Sequence, residues 1–100
     1  MAATEPDGAR EAAGQVERLT RDLQARGYAA RLVIVGKYMA INVAHRTVTQ
    51  MSETVIVAPA TDGTWWFWWF WWSWRDPIVR ASDVDVAAFK IAYVLTPTGA

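Results

Sequence analysis

His45 is the only histidine in a chain of 100 residues that has no cysteine. General-base or ligand chemistry at His45 needs partner groups held against it. There is no second histidine and no His-x-x-Glu-His spacing, so a zinc site has no donor set. Ser52, His45 and Asp62 can be written as a nucleophilic triad, but no nucleophile elbow presents the serine. His45 therefore reads as a surface loop histidine. Asp83 and Asp85 are close carboxylates at the start of a helix, where capping and the helix dipole account for them. Asp76 precedes Pro77 and reads as a turn residue. Gly27 and Gly36 are isolated turn glycines, and no glycine-rich phosphate loop is present. The expectation is a non-enzymatic protein without metal or cofactor.

What the sequence does concentrate is aromatic surface. All seven tryptophans fall between Trp65 and Trp74, written as Trp-Trp-Phe, Trp-Trp-Phe, Trp-Trp-Ser-Trp. In a strand, side chains alternate between faces. Trp65, Phe67, Trp69 and Trp71 then share one face, and Trp66, Trp68, Phe70, Trp72 and Trp74 share the other. A buried aromatic removes about 150–250 Å² from water, so either row represents roughly 600–1,000 Å². That exceeds the patch a monomer commonly exposes. Base stacking on such a row would need interleaved cations. Positions 65–74 hold none, while Arg31, Lys37, Arg46, Arg75 and Arg80 read as ordinary solvated charge. Lys plus Arg is 10 and Asp plus Glu is 10, and a net charge of zero argues against nucleic acid or an anionic membrane as partner. The run is also an aggregation hazard, with Asp62, Gly63, Arg75, Asp76 and Pro77 as gatekeepers.

The elements that must position these residues follow from periodicity. Residues 1–8 read as a frayed start, with Thr4 or Asp7 available as a cap. A helix over 9–26 places Ala12, Val16, Leu19 and Leu23 on one face, and Glu17–Arg21, Arg18–Asp22 and Asp22–Arg26 pair along the other. Gly27 ends it. Strands are expected at Tyr28–Val35, Tyr38–Ala44, Glu53–Ala58 and Thr64–Trp74, with Arg75-Asp76-Pro77 as the stop. Ser82-x-x-Asp85 opens a second helix with Val84, Ala88, Ile91 and Leu95 on one face and Phe89 and Tyr93 on a flank. Pro97 and Gly99 end it. The chain is thus one α+β domain over 1–100: an N-terminal helix, a four-stranded antiparallel sheet and a C-terminal helix. Both helices lie on one sheet face, and nothing remains to cover the other. The aromatic strand, longer than its neighbours, must overhang them or contain a bulge.

The half from Ser52 to Leu95 resembles a group of small uncharacterised actinobacterial proteins. The likeness rests on Glu53-Thr54-Val55, Ala58-Pro59, Asp62-Gly63, Trp71-Trp72-Ser73-Trp74, Asp76-Pro77-Ile78 and the terminal Ile91-Ala92 and Val94-Leu95. The group carries one Trp-Trp-Phe unit before Trp-Trp-Ser-Trp, where this chain has two. Its members are often found beside helix-turn-helix regulators, which implies a regulatory or partner-binding role. No activity is established for the group, so no functional residues carry over.

The leading expectation is a protein–protein interaction or regulatory module. It works through the helix-free face, centred on Trp66, Trp68, Phe70, Trp72 and Trp74, or on Trp65, Phe67, Trp69 and Trp71 if the parity is reversed. A homodimer is the simplest form, and another protein, such as a helix-turn-helix regulator, is the alternative partner. A small-ligand or peptide slot framed by two tryptophans is the second reading, and a single-stranded nucleic-acid platform the third. No apolar run approaches the roughly 20 residues of a spanning helix, and no signal peptide is evident, so the expected setting is cytoplasmic.

Overall fold

The computed structural model describes residues 4–48, 51–70 and 75–96. Helix α1 (Thr4–Ala25) is followed by β1 (Ala29–Val35), β2 (Tyr38–Ala44), β3 (Ser52–Pro59), β4 (Trp65–Phe70), β5 (Arg75–Arg80) and helix α2 (Val84–Val94). The architecture is α+β. The sheet has five strands in the order β1-β2-β3-β4-β5, every neighbour antiparallel.

The fifth strand corrects the four-strand expectation. Strand β4 covers Trp65–Phe70 of the aromatic run, and Arg75-Asp76-Pro77 belongs to a returning strand instead of a stop. Proline cannot donate to a ladder, but β5 is an edge strand, where a missing donor is tolerated. Asp76 accordingly sits opposite Trp69 in the ladder, not in a turn. Pairing with β5 shifts register between Phe67 and Trp68, so that Phe67 faces Val79 while Trp68 faces Pro77; the inserted residue belongs to β5 and not to the aromatic strand, where a bulge was expected. The extra residue, Ile78, is buried. Trp71, Trp72, Trp74, Pro97 and Gly99 lie outside the described residues.

One face of the sheet carries both helices. Ala12, Val16, Leu19 and Leu23 of α1 meet Val84, Ala87, Ala88 and Ile91 of α2 over Ile41, Val43, Val55, Val57 and Phe67. The helical periodicities select these residues because an amphipathic helix hides one stripe. Tyr28 donates its hydroxyl to the Ala92 carbonyl at 3.2 Å and so ties the start of β1 to the end of α2.

The boundaries differ from expectation at both helix starts. Helix α1 begins at Thr4, earlier than the expected residue 9, which places Asp7 within the helix instead of ahead of it. In α2 the N-cap is Asp83, not Ser82, and it makes no side-chain cap bond. On the polar side of α1, Glu17–Arg21 (3.9 Å) and Asp22–Arg26 (2.9 Å) form. Asp22 is engaged by Arg26, and no Arg18–Asp22 ion pair forms among the described residues.

Gly27 closes α1 at φ +97°. Its N–H bonds the Gln24 carbonyl at 3.0 Å and the Tyr28 N–H bonds that of Leu23 at 3.0 Å. These are the two bonds of a Schellman motif. An added Cβ would touch nothing within 4 Å, so the cost of Gly27→Ala is purely conformational, about 1–2 kcal/mol. The expected result is a loss of roughly 4–8 °C in Tm per kcal/mol, measured by circular dichroism.

Candidate functional site

Sheet parity decides which aromatic row meets the helices. Phe67 is completely buried in the core shared by both helices, with Trp65 and Trp69 partly buried beside it. The indole of Trp65 lies where a Cβ on Gly8 would come within 2.9 Å of its Nε1. The N-terminal part of α1 can lie against Trp65 because residue 8 is glycine. The described members of the other row, Trp66, Trp68 and Phe70, occupy the helix-free face.

This face is built across all five strands. Val33, Ala40, Ile56, Trp68 and Pro77 stand opposite one another in successive ladders. Val35–Tyr38 and Ala58–Trp66–Arg80 border them on one side, and Arg31–Asn42–Thr54 on the other. Thr54 Oγ1 donates to Asn42 Oδ1 at 3.0 Å across that second border.

The tryptophans do not stand up from the sheet. Ala40, Ile56 and Ala58 are fully covered, and Trp68, Tyr38, Val33 and Val35 pack on them as a second apolar cluster. Alanines at positions 40 and 58 leave a trough into which large rings can recline. Trp68 is fixed there by donating Nε1–H to the Ala58 carbonyl at 3.0 Å. Trp66 packs beside it, ring centroids 6.4 Å apart and tilted by 45°. Both indoles are half-buried and Phe70 is 37% exposed. The bare aromatic surface is thus smaller than alternation alone implies, because the row covers part of the sheet itself.

Charge on this face has one sign. Arg31 and Arg80 occupy its borders, and Lys37 in the β1–β2 turn places Nζ 5.6 Å from the centre of the Tyr38 ring. The two carboxylates carried by the strands, Glu53 and Asp76, pair with Val43 and Trp69 and so lie at positions of the helix-side parity. Asp62 lies in the exposed β3–β4 turn. Its carboxyl is held below the usual range, first by accepting the Thr64 N–H at 2.9 Å, then by the Thr64 side chain and, more weakly, by the charge of Arg80.

The residues considered for catalysis are not assembled. His45 and Ser52 sit at one end of β3 and Asp62 at the other, separated by an eight-residue strand that spans about 26 Å at 3.3 Å per residue. His45 organises its own turn: Nδ1 accepts the N–H of Thr47 at 3.2 Å and of Val48 at 3.1 Å, and its ring meets Tyr28 edge-on at 6.1 Å. Among the described residues, no three His, Cys, Asp or Glu side chains come together, and no helix is long and apolar enough to cross a membrane.

Concavities lie at the sheet end and beside α2. A groove of about 1080 Å³ wraps the sheet end between Arg31, Asn42, Thr54 and Phe70 on the open side and Tyr28 and Gln24 on the other. Its described lining contains no tryptophan, so it is not the two-tryptophan slot. A smaller hollow of about 270 Å³ lies between Trp69 and the outer side of α2, at Phe89 and Tyr93. The grooves and the Trp68 trough have no signature in the sequence. The one local signal that could have pointed to the trough is the small side chains of Ala40 and Ala58, set beside larger residues on β2 and β3. No family model matches the chain, nor does any curated protein or solved structure.

Proposed function

We propose that the chain is a non-enzymatic interaction module that docks an acidic, partly apolar segment of another protein on its helix-free sheet face. One observation carries the reading. Half-buried Trp66 and Trp68 and exposed Phe70 share that face with Arg31, Lys37 and Arg80, and no strand carboxylate shares it. Aromatic rings supply apolar contact at low entropic cost, and cations with no strand carboxylate among them select a partner bearing negative charge. Stacking a second copy face to face would press both sets of cations into one interface, which disfavours self-association here. Single-stranded nucleic acid shares the charge but is less well served. The indoles recline on the sheet, Trp68 Nε1 is already bonded, and the cations lie at the borders instead of along a backbone track. In the group that the chain resembles, a neighbouring helix-turn-helix regulator is the first protein to test.

The test is amide chemical-shift mapping with a ten-residue peptide of alternating Asp and Leu, and separately with a ten-nucleotide oligothymidine. The peptide is expected to shift Tyr38, Trp66, Trp68 and Phe70, and the response is expected to vanish in a Trp66→Thr/Arg80→Glu variant. A response to the oligonucleotide alone would transfer the face to nucleic acid. A response to neither, with the adjacent regulator also silent, would overturn the reading.

A further inference from the structure

We propose that two copies of the chain pair through the free edge of β1, antiparallel and centred on Val33, so that one sheet runs through both. The contact runs along the backbone edge of β1 and not over the aromatic rings, although Val33 and Arg31 also belong to the helix-free face.

The five-stranded meander leaves two edges, β1 and β5. Strand β5 is a poor template because it contains Pro77 and pairs irregularly with β4. Strand β1 has neither defect. Its seven residues pair with β2 in unbroken register, and Arg31 is its only charge. Proteins usually guard such an edge with proline, a bulge or inward charge.

The direction of the backbone groups follows from the hairpin. Gly36 has φ +60° and Lys37 is not at positive φ, the pattern of a type II′ turn closed by Val35 and Tyr38. Val35, Val33 and Arg31 then spend their N–H and C=O groups on β2, and those of Ala30, Leu32 and Ile34 point outward. The Ala30 carbonyl bears this out, since it accepts the Gln24 side-chain amide at 2.8 Å. That bond also closes the Ala30 end of the edge.

The residues left open are Leu32 and Ile34, and they are also the ones whose side chains are bare, 42% and 69% exposed. Helix α1 runs from Gln24 above Ala30 to Gly8 against Trp65, and leaves this corner of its own sheet face uncovered. When a second β1 is laid antiparallel with Val33 opposite Val33, Leu32 of each copy faces Ile34 of the other. The outward backbone groups bond, the exposed side chains cover each other, and each Arg31 faces Val35 instead of the other Arg31. Shifting the centre to Leu32 sets Ile34 against Ala30, whose carbonyl is taken. Shifting it to Ile34 sets Leu32 against glycine. The edge is its own complement about a single two-fold axis, which is why the occupant is a second copy. The contact is small, so association is weak and concentration-dependent.

The chain has no cysteine, which makes Val33→Cys a direct probe. A non-hydrogen-bonded antiparallel pair brings its Cα atoms to about 4.5 Å, inside the disulfide range. Val33→Cys is expected to oxidise to a linked dimer faster than Tyr93→Cys, although Tyr93 is 76% exposed. Light scattering of the unmodified chain is expected to rise from 11.2 kDa toward twice that mass with concentration. Ile34→Lys and Ile34→Pro are expected to hold it monomeric with an unchanged far-ultraviolet spectrum, the proline removing only an outward N–H. Phe89→Ser and Trp66→Thr are expected to dimerise as before. A monomer at every concentration, a dimer that survives Ile34→Lys, or one abolished by Trp66→Thr would each overturn the proposal.

Discussion

Phe67→Ala is expected to destabilise the domain by about 3–5 kcal/mol. Among the described residues Phe67 is the largest side chain that is completely buried, it faces Val57 and Val79 across the ladders, and residues of both helices close over it. Truncation there loses the transfer free energy of the ring and leaves a cavity. Strands on either side hold that cavity open, so it cannot easily collapse. A domain of this size is stable by only about 5–15 kcal/mol, so the variant is left close to its unfolding threshold. The measurement is the urea midpoint at constant slope. Phe70→Ala is the internal control. Phe70 is three residues away, of the same type and 37% exposed, on the helix-free face, and a near-surface truncation is expected to cost under about 1 kcal/mol. Equal midpoints for the two variants would show that the parity of β4 is misassigned.

Trp68→Ala is expected to cost about 2–3 kcal/mol, which is large for a side chain on a face that no helix covers. Part is lost packing over Ala40, Ile56 and Ala58, and about 1 kcal/mol is the hydrogen bond from Nε1 to the Ala58 carbonyl. Among the described residues no second layer is present to refill the trough, so those three residues become solvent-exposed. A hydrophobic dye should bind the variant and not the parent, and the thermal midpoint should fall. Trp66→Ala removes a neighbour that is not part of that cluster and is expected to cost less. If Trp66→Ala proves the more damaging, the order of the two indoles on the sheet is wrong. For the same reason, Trp66, Phe70 and the cations are the residues to vary when binding is measured. Trp68 supports the surface itself.

Several features were legible before any fold was known, because they depend on interactions spanning a few residues. The buried stripes of α1 (Ala12, Val16, Leu19, Leu23) and of α2 with its C-cap (Val84, Ala88, Ile91 and then Leu95) follow from helical period alone. Gly27 and Gly36 marked a helix end and a hairpin because positive φ is cheap only for glycine. The α+β class followed from the order of those local patterns.

Tertiary structure decided the rest. The aromatic run is uniformly β-prone, so its sequence contains no signal for where the strand should stop. Only the tertiary pairing of Phe70 with Arg75 shows that the chain returns as a fifth strand. Pro77 reads as a terminator locally, and becomes acceptable once its strand is an edge. With rings at odd and even positions alike, either row could have been core. The choice fell to Phe67 because the register with β3 sets it beside Val57, under both helices. The reclining of Trp68, the single sign of charge on the open face and the bare edge of β1 all depend on which strands are neighbours. A sequence determines such long-range pairings only through the summed burial of the whole chain, and no window of a few residues contains that sum.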